Sequence, residues 1–296
     1  MKRNLIVIMV MMVFAFAVLV TGCAGKTGEK VTPFTIPAEL RGTVQADING
    51  DGSAEEIGFE KIADEYISQE LILTIDGKDY DLTEGIYFFP EDDLKCFMIR
   101  NNGKDKPGYL YIQQTAENDY QSVTIYKYTG NEMEYVDGFD GAVDFRRYSD
   151  ADNYEEISLT DPEDFQICYV EQVMSTMSVI EKCRMGDDGR PAETGDYRYY
   201  IIGENWNITS KTAIPAGILK DEKAKDETQG TLPGGVKVTP FRTDGKTFID
   251  LKADGEDGIY RIYYQDDDGP IVIIDKSGSQ QPGGFMDCFD GLMFAG

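Results

Sequence analysis

Short runs of β-branched and aromatic residues, each closed by a glycine-bearing polar turn, recur from Arg41 to the end of the chain. That punctuation leaves no stretch long enough for an extended helix and favours many short antiparallel strands. EEIGFEK, SQELILTIDG and KDYDLT follow one another from Glu55, with Asp76-Gly77 as the turn between the last two. KCFMIR, GYLYIQQ, SVTIYKYTG and EMEYVDGF repeat the pattern from Lys95, and Thr129-Gly130-Asn131 is its clearest hairpin connection. Four short strands in succession are the unit of a propeller blade. A third, weaker copy runs through AVDFRRY, DADNYEEISLTD, DFQICYVEQ and MSVIEKCRM. The expected fold is therefore all-β, a β-propeller-like array of four-stranded antiparallel blades over residues 36–219. The single tryptophan, Trp206, is expected in the core or at its edge. DEKAKDETQG, charged and nearly free of apolar residues, reads as a linker over 220–230. Residues 231–296 carry four more strand-like runs with Asp-Gly at the breaks, expected as a small C-terminal β-barrel-like domain, with a closing blade as the other arrangement.

The first residues set the compartment. Lys2 and Arg3 precede an apolar run from Leu5 to Val20 that is shorter than the roughly 20 residues of a permanent span. Val20-Thr21-Gly22-Cys23 ends it and resembles the bacterial lipoprotein signal, in which a small residue precedes the lipid-bearing cysteine. Residues 1–22 are read as a cleaved signal peptide and 23–35 as a lipid-anchored tether. Lipidation of Cys23 would hold the protein to the outer face of the cytoplasmic membrane, at about 0.8 kcal/mol per buried methylene.

The chain carries 54 acidic residues against 28 basic ones, a formal net charge of −26, and cleavage of the leader removes two more cations. Such a surface repels nucleic acid. With 41% hydrophobic residues it is nonetheless a folding sequence rather than a disordered acidic tail. There is no histidine, which removes the usual general base, the Ser-His and Cys-His nucleophile pairs and the common zinc ligand. Four cysteines remain beyond Cys23: Cys96, Cys168, Cys183 and Cys288. If DFQICYVEQ and MSVIEKCR form a hairpin turning near Ser175 and Thr176, Cys168 and Cys183 face each other; a disulfide and two free buried thiols are both open readings.

One loop carries chemistry. In DINGDGSAEEI, oxygen-bearing side chains alternate at Asp47, Asn49 and Asp51, while Gly50 and Gly52 let the backbone fold them around one hard cation. This stretch resembles the calcium loops of FG-GAP and VCBS repeats, found in β-propellers such as integrin heads and bacterial surface proteins. The lipobox together with the LPGGVKVTPFRTDG tail resembles a group of Gram-positive surface lipoproteins. The resemblance implies a structural calcium ion held by the side chains of Asp47, Asn49, Asp51 and Glu55 and the backbone carbonyl of Ser53. An EF-hand is excluded, because its twelfth position is Gly58 and no helix-forming run precedes the loop. The loop aligns with NGKDKPGYLYI at an offset of 53 residues, where Arg100 and Lys104 replace Asp47 and Asp51, so the second copy is expected to bind no ion. In the third copy Arg147, Ser149 and Ala151 stand at the liganding positions.

These readings point to a membrane-anchored, non-enzymatic binding module that presents loops to a protein or carbohydrate partner. The competing class is a glycan-active enzyme using two carboxylates, with Asp150, Asp152, Glu155 and Glu156 as candidates. The tyrosines of YLYIQQ and YKYTG could form a sugar platform, but at strand spacing they are expected in the core or at its edge.

Overall fold

Strands buried on one face alternate apolar and polar residues, whereas strands buried on both read as near-continuous apolar runs, and the difference sorts the first half of this chain into layers. The computed structural model describes residues 30–63, 69–86, 92–100, 107–115, 120–150, 153–201, 206–266 and 271–294. β1 (Val31–Ile36) is followed by a four-stranded meander of β2 (Arg41–Ala46), β3 (Glu55–Ala63), β4 (Gln69–Ile75) and β5 (Lys78–Leu82). Its inner residues alternate, as in Leu71, Leu73 and Ile75. The next meander, β6 (Leu94–Ile99), β7 (Gly108–Thr115), β8 (Gln121–Tyr128) and β9 (Met133–Asp140), takes β1 onto its β6 edge to make a five-stranded sheet.

This second sheet is buried on both sides. Leu94, Cys96, Met98, Leu110, Ile112 and Tyr126 pack against the first meander. Phe97, Ile99, Tyr109, Tyr111, Val123 and Ile125 face the opposite way, onto Phe165, Ile167, Cys183 and Met185. Those last four belong to the hairpin of β12 (Phe165–Glu171) and β13 (Met177–Met185), which makes a third layer. The tyrosines of the YLYIQQ run are thus core residues, with Tyr111 fully buried. Its hydroxyl donates to the Gly189 carbonyl at 2.6 Å, and Tyr109 donates to that of Asp187 at 3.2 Å. Gly189 sits at φ +86°, where a Cβ would lie 2.2 Å from the Tyr109 ring, so only glycine closes this turn.

In the chain between β9 and β12, β10 (Asp144–Asp150) and β11 (Asn153–Ser158) form a separate two-stranded sheet. The third repeat copy therefore divides into two hairpins instead of one four-stranded unit. After β13 come β14 (Pro191–Glu193), β15 (Arg198–Tyr200), β16 (Ile208–Ser210), β17 (Ile214–Leu219), β18 (Glu227–Leu232), β19 (Lys237–Thr243), β20 (Phe248–Ala253), β21 (Ile259–Gln265), β22 (Val272–Ile274), β23 (Gln280–Gly284), the one-turn α1 (Phe285–Cys288) and β24 (Phe289–Asp290). Together with β12 and β13 they build one 13-stranded sheet whose main path runs β12-β13-β15-β19-β20-β21-β17-β18. Trp206 lies half-buried at the edge of its core.

The architecture is all-β, made of several antiparallel sheets, and among the described residues these sheets close into neither a barrel nor a propeller. Two segments differ from their sequence reading. Residues 31–35, assigned to the tether, form most of β1, because pairing with β6 buries Val31 and Thr32 to 4% exposure. Residues 220–230, read as a linker, hold the β17–β18 turn and the start of β18, so the sheet is continuous through them. The turn is tied down: Arg242 Nη1 donates to the Glu222 carbonyl at 2.7 Å, and Lys252 pairs with the Glu222 carboxylate at 2.7 Å. Arg242 itself is held in the core by Asp250, which accepts from Arg242 Nε and Arg261 Nε, each at 2.7 Å. Asp250 is fully buried, and the Arg242 guanidinium lies 4.0 Å above the Tyr197 ring.

Candidate functional site

The loop between β2 and β3 is built around one buried carboxylate. Ala46 and Ile48 are buried in the core between the first two sheets, which draws Asp47 down to 4% exposure between them. Asp47 Oδ1 accepts from the Gly50 amide at 2.6 Å and Oδ2 from the Gly52 amide at 3.0 Å. Those glycines have φ +80° and +90°, the left-handed conformation that turns both amides inward. Glu55, the first residue of β3, closes the loop: its Oε2 accepts from the Ile48 amide at 2.9 Å and its Oε1 from the Asn49 side-chain amide. Asp51 is exposed, and the Ser53 amide, donating to it at 2.7 Å, holds its carboxyl below the usual range.

One carboxylate oxygen each from Asp47, Asp51 and Glu55 lies within 4.8 Å of the others. Two oxygens bound to one calcium at about 2.4 Å can be no more than about 4.8 Å apart, so the three acids meet the spacing of a single-ion site. Asn49 is placed differently from a ligand. Its side-chain nitrogen faces Asp51 Oδ2 at 3.3 Å and Glu55, while its Oδ1 accepts from the Asp51 amide at 2.8 Å. Ligation through Oδ1 requires the amide to turn over. Ser53 contributes its amide to Asp51 and sits exposed at the loop's outer end.

Sequence alignment missed one participant. Arg100, which stands opposite Asp47 in the second repeat, reaches back: its Nη1 donates to the Asp47 carbonyl and to Thr32 Oγ1, both at 2.6 Å, and Thr32 Oγ1 donates to the same carbonyl at 2.8 Å. A Cβ on Gly50 would lie 2.7 Å from Arg100 Nε. The residue read as a lost ligand is a clamp on the loop that kept its acids. The remainder of the second loop, 101–106, lies outside the described residues, as do residues 1–29 with Cys23.

The other candidates fall on ordinary surfaces or on separate faces. Glu155 and Glu156 pair across the β10–β11 hairpin with Arg147 and Arg146; the Asp150 side chain and Asp152 lie outside the described residues. Cys168 and Cys183 do not meet. The β12–β13 register sets Cys168 opposite Ile180 and Cys183 opposite Phe165, a three-residue shift from a turn centred on Ser175 and Thr176, and all four described cysteines are free. The shift turns Cys183 into the core, with its thiol pushed up to about 12 by burial, and puts Cys168 on the reverse face.

Two clefts flank the outer edge of β12. One, of about 610 Å³, is walled by Cys168, Val170 and Ser178 on one side and by Phe145 and Glu156 on the other. The second, of about 680 Å³, holds Tyr169, Glu171, Arg198 and Tyr264. Tyr120, Asp140 and Val170 line both. Burial raises the Glu171 carboxyl above its ordinary value, and the Tyr200 hydroxyl donates to it. No local motif marks this region, because its residues come from β9, β10, β11, β12, β13, β15 and β21. The chain matches no family model, no curated protein and no solved structure.

Proposed function

We propose that this chain is a lipid-anchored extracellular binding module, held to the outer face of the membrane through Cys23, whose first sheet is pinned by one structural calcium ion. The observation that carries the reading is the convergence of Asp47, Asp51 and Glu55 within 4.8 Å on a loop already wound by Gly50 and Gly52. Asp47, Asp51 and Glu55 would hold the ion with Asn49 and the Ser53 carbonyl, and a set of protein oxygens this complete suits a structural ion rather than a catalytic one. The ion would fix the entry to β3, the strand that contributes Ile57 and Phe59 to the core. The two face-packed meanders are read as successive blade-like units, and the loops at their ends, with the clefts beside β12, as the surface offered to a protein or carbohydrate partner. Two measurements test it together. Calcium titrated into the mature chain by calorimetry should bind one ion per protein, and Asp51→Ala should abolish the heat. In cells, Cys23→Ala should move the protein out of the membrane fraction. Absence of calcium heat, or an unchanged membrane fraction, would refute the corresponding half of the proposal.

A further inference from the structure

Hydrogen-bond accounting along β12 exposes a backbone site. Cys168 exchanges both of its main-chain bonds with Ala142, N–H to C=O at 2.9 Å in each direction. In an antiparallel ladder the outward-facing groups belong to every second residue. Tyr169 and Glu171 therefore bond inward to β13, and Val170, like Cys168, turns its N–H and C=O away from it. Ala142 covers Cys168, and two residues earlier Asp140, which ends β9 opposite Ser122, makes no main-chain bond to Val170. The donor and acceptor of Val170 are thus left facing the gap with no hydrogen-bond partner among the described residues. Val170 as a whole residue is 49% exposed, in keeping with an edge that no other described element covers.

The clefts lie where the alternate side chains of an added strand would go. Residues on one face of β12, Cys168 and Val170, line the first, and residues on the other face, Tyr169 and Glu171, line the second. The two differ in chemistry. In the first, Lys95 pairs with Asp144 and Arg146 with Glu156, leaving Asp140, which both clefts share, as its one carboxylate outside an ion pair among the described residues, and Phe145 and Val170 supply apolar wall. In the second, Glu171, Asp140 and Asp266 face Lys246, while Arg198 is engaged by Glu181 and Glu193. Carboxylates are in excess there, on a protein whose formal net charge is −26.

We propose that the free edge of β12 at Val170 accepts an extended peptide as an added strand, its basic side chains entering the cleft of Glu171 and its apolar ones the cleft of Phe145. Main-chain bonds give such an interaction its affinity and the flanking pockets its specificity. The inference rests on the binding-module reading and names the partner's chemistry; calcium binding at the distant loop stands or falls apart from it.

The test uses the mature chain, made soluble by Cys23→Ser, and fluorescently labelled hexapeptides of alternating valine and lysine or of alternating valine and glutamate, read by anisotropy. The lysine peptide should bind, and the glutamate peptide at least tenfold more weakly. Val170→Pro removes the outward N–H without touching the β13 ladder, a position where proline is tolerated. It should keep the wild-type melting temperature and weaken the lysine peptide about tenfold, the effect of losing roughly 1.4 kcal/mol. N-methylation of alternate peptide amides should do the same with the protein unchanged, which guards against a misfolded variant. Equal binding of the lysine peptide to wild type and Val170→Pro, or of the methylated and unmethylated peptides, would reduce the effect to charge alone and overturn the proposal. So would absence of binding at millimolar peptide. A dimer in light scattering that Val170→Pro dissolves would assign the edge to a second copy and equally overturn it.

Discussion

Replacing Asp47 with asparagine removes one charge from the calcium-like loop while leaving its volume and its main chain in place. The Thr32 and Arg100 bonds to Asp47 use its carbonyl, so they survive the substitution. The carboxylate is different, since Oδ1 and Oδ2 each accept a backbone amide, from Gly50 at 2.6 Å and Gly52 at 3.0 Å, at 4% exposure. An asparagine can accept only one of them and turns its own N–H₂ toward the other. A hydrogen bond to a charged group contributes about 1.5–3 kcal/mol, so the loss is about 2–3 kcal/mol. For a chain of this size each kcal/mol moves the melting temperature by about 2–4 °C, giving a fall of roughly 5–10 °C. Differential scanning calorimetry in EGTA isolates this term from any ion. A fall of less than about 2 °C in EGTA would show that the carboxylate does not organise the loop on its own.

Three further outcomes follow from the core. Asp250→Ala leaves Arg242 and Arg261 buried without their shared carboxylate, and urea unfolding should show a loss of about 3–5 kcal/mol, much more than for an exposed pair such as Arg146 and Glu156. The Glu171 carboxyl is raised by burial above its ordinary 4.5, so its contribution to stability is full below about pH 4.5 and is lost as pH rises through the raised value. Glu171→Gln, which stays neutral and still accepts from Tyr200, should therefore melt progressively higher than wild type between pH 4 and pH 7; a constant difference would contradict the assignment. Because the four described cysteines are free, melting of the soluble chain should not change with reductant, and thiol titration should find Cys96, Cys168, Cys183 and Cys288 all reactive once the chain is unfolded.

The two meanders were readable in the sequence because their turns, Asp76-Gly77 and Thr129-Gly130-Asn131, are local and their strands short. The layering was not. Burial of both faces of β6, β7 and β8 shows only as the near-continuous apolar runs KCFMIR and GYLYIQQ, which fit a strand in any sheet. The pairing of β1 with β6 joins Val31 to Ile99, a contact that no local pattern announces. DEKAKDETQG has the composition of a linker and of an exposed hairpin turn alike, and what decides between them is the distant Arg242. Similarly, the misplaced cysteine pair traces to a turn centred near Met174 instead of between Ser175 and Thr176, a small shift that puts the two thiols on opposite faces of the hairpin. Of the candidate site, Asp47 and Asp51 were legible from alternation, and Glu55 from the resemblance to a calcium-loop repeat. The Arg100 clamp and the β12 edge were not, since each depends on segments far apart in the chain.

The central claim is that the loop from Asp47 to Glu55 holds a calcium ion that stabilises the fold, and thermal melting of the mature chain with and without calcium tests it most directly. At calcium one hundred times the dissociation constant the stabilisation should be about 2.7 kcal/mol. That corresponds to a rise of roughly 5–10 °C over the EGTA sample, absent in Asp51→Ala. Identical melting in calcium and EGTA, or a full calcium shift retained by Asp51→Ala, would contradict it.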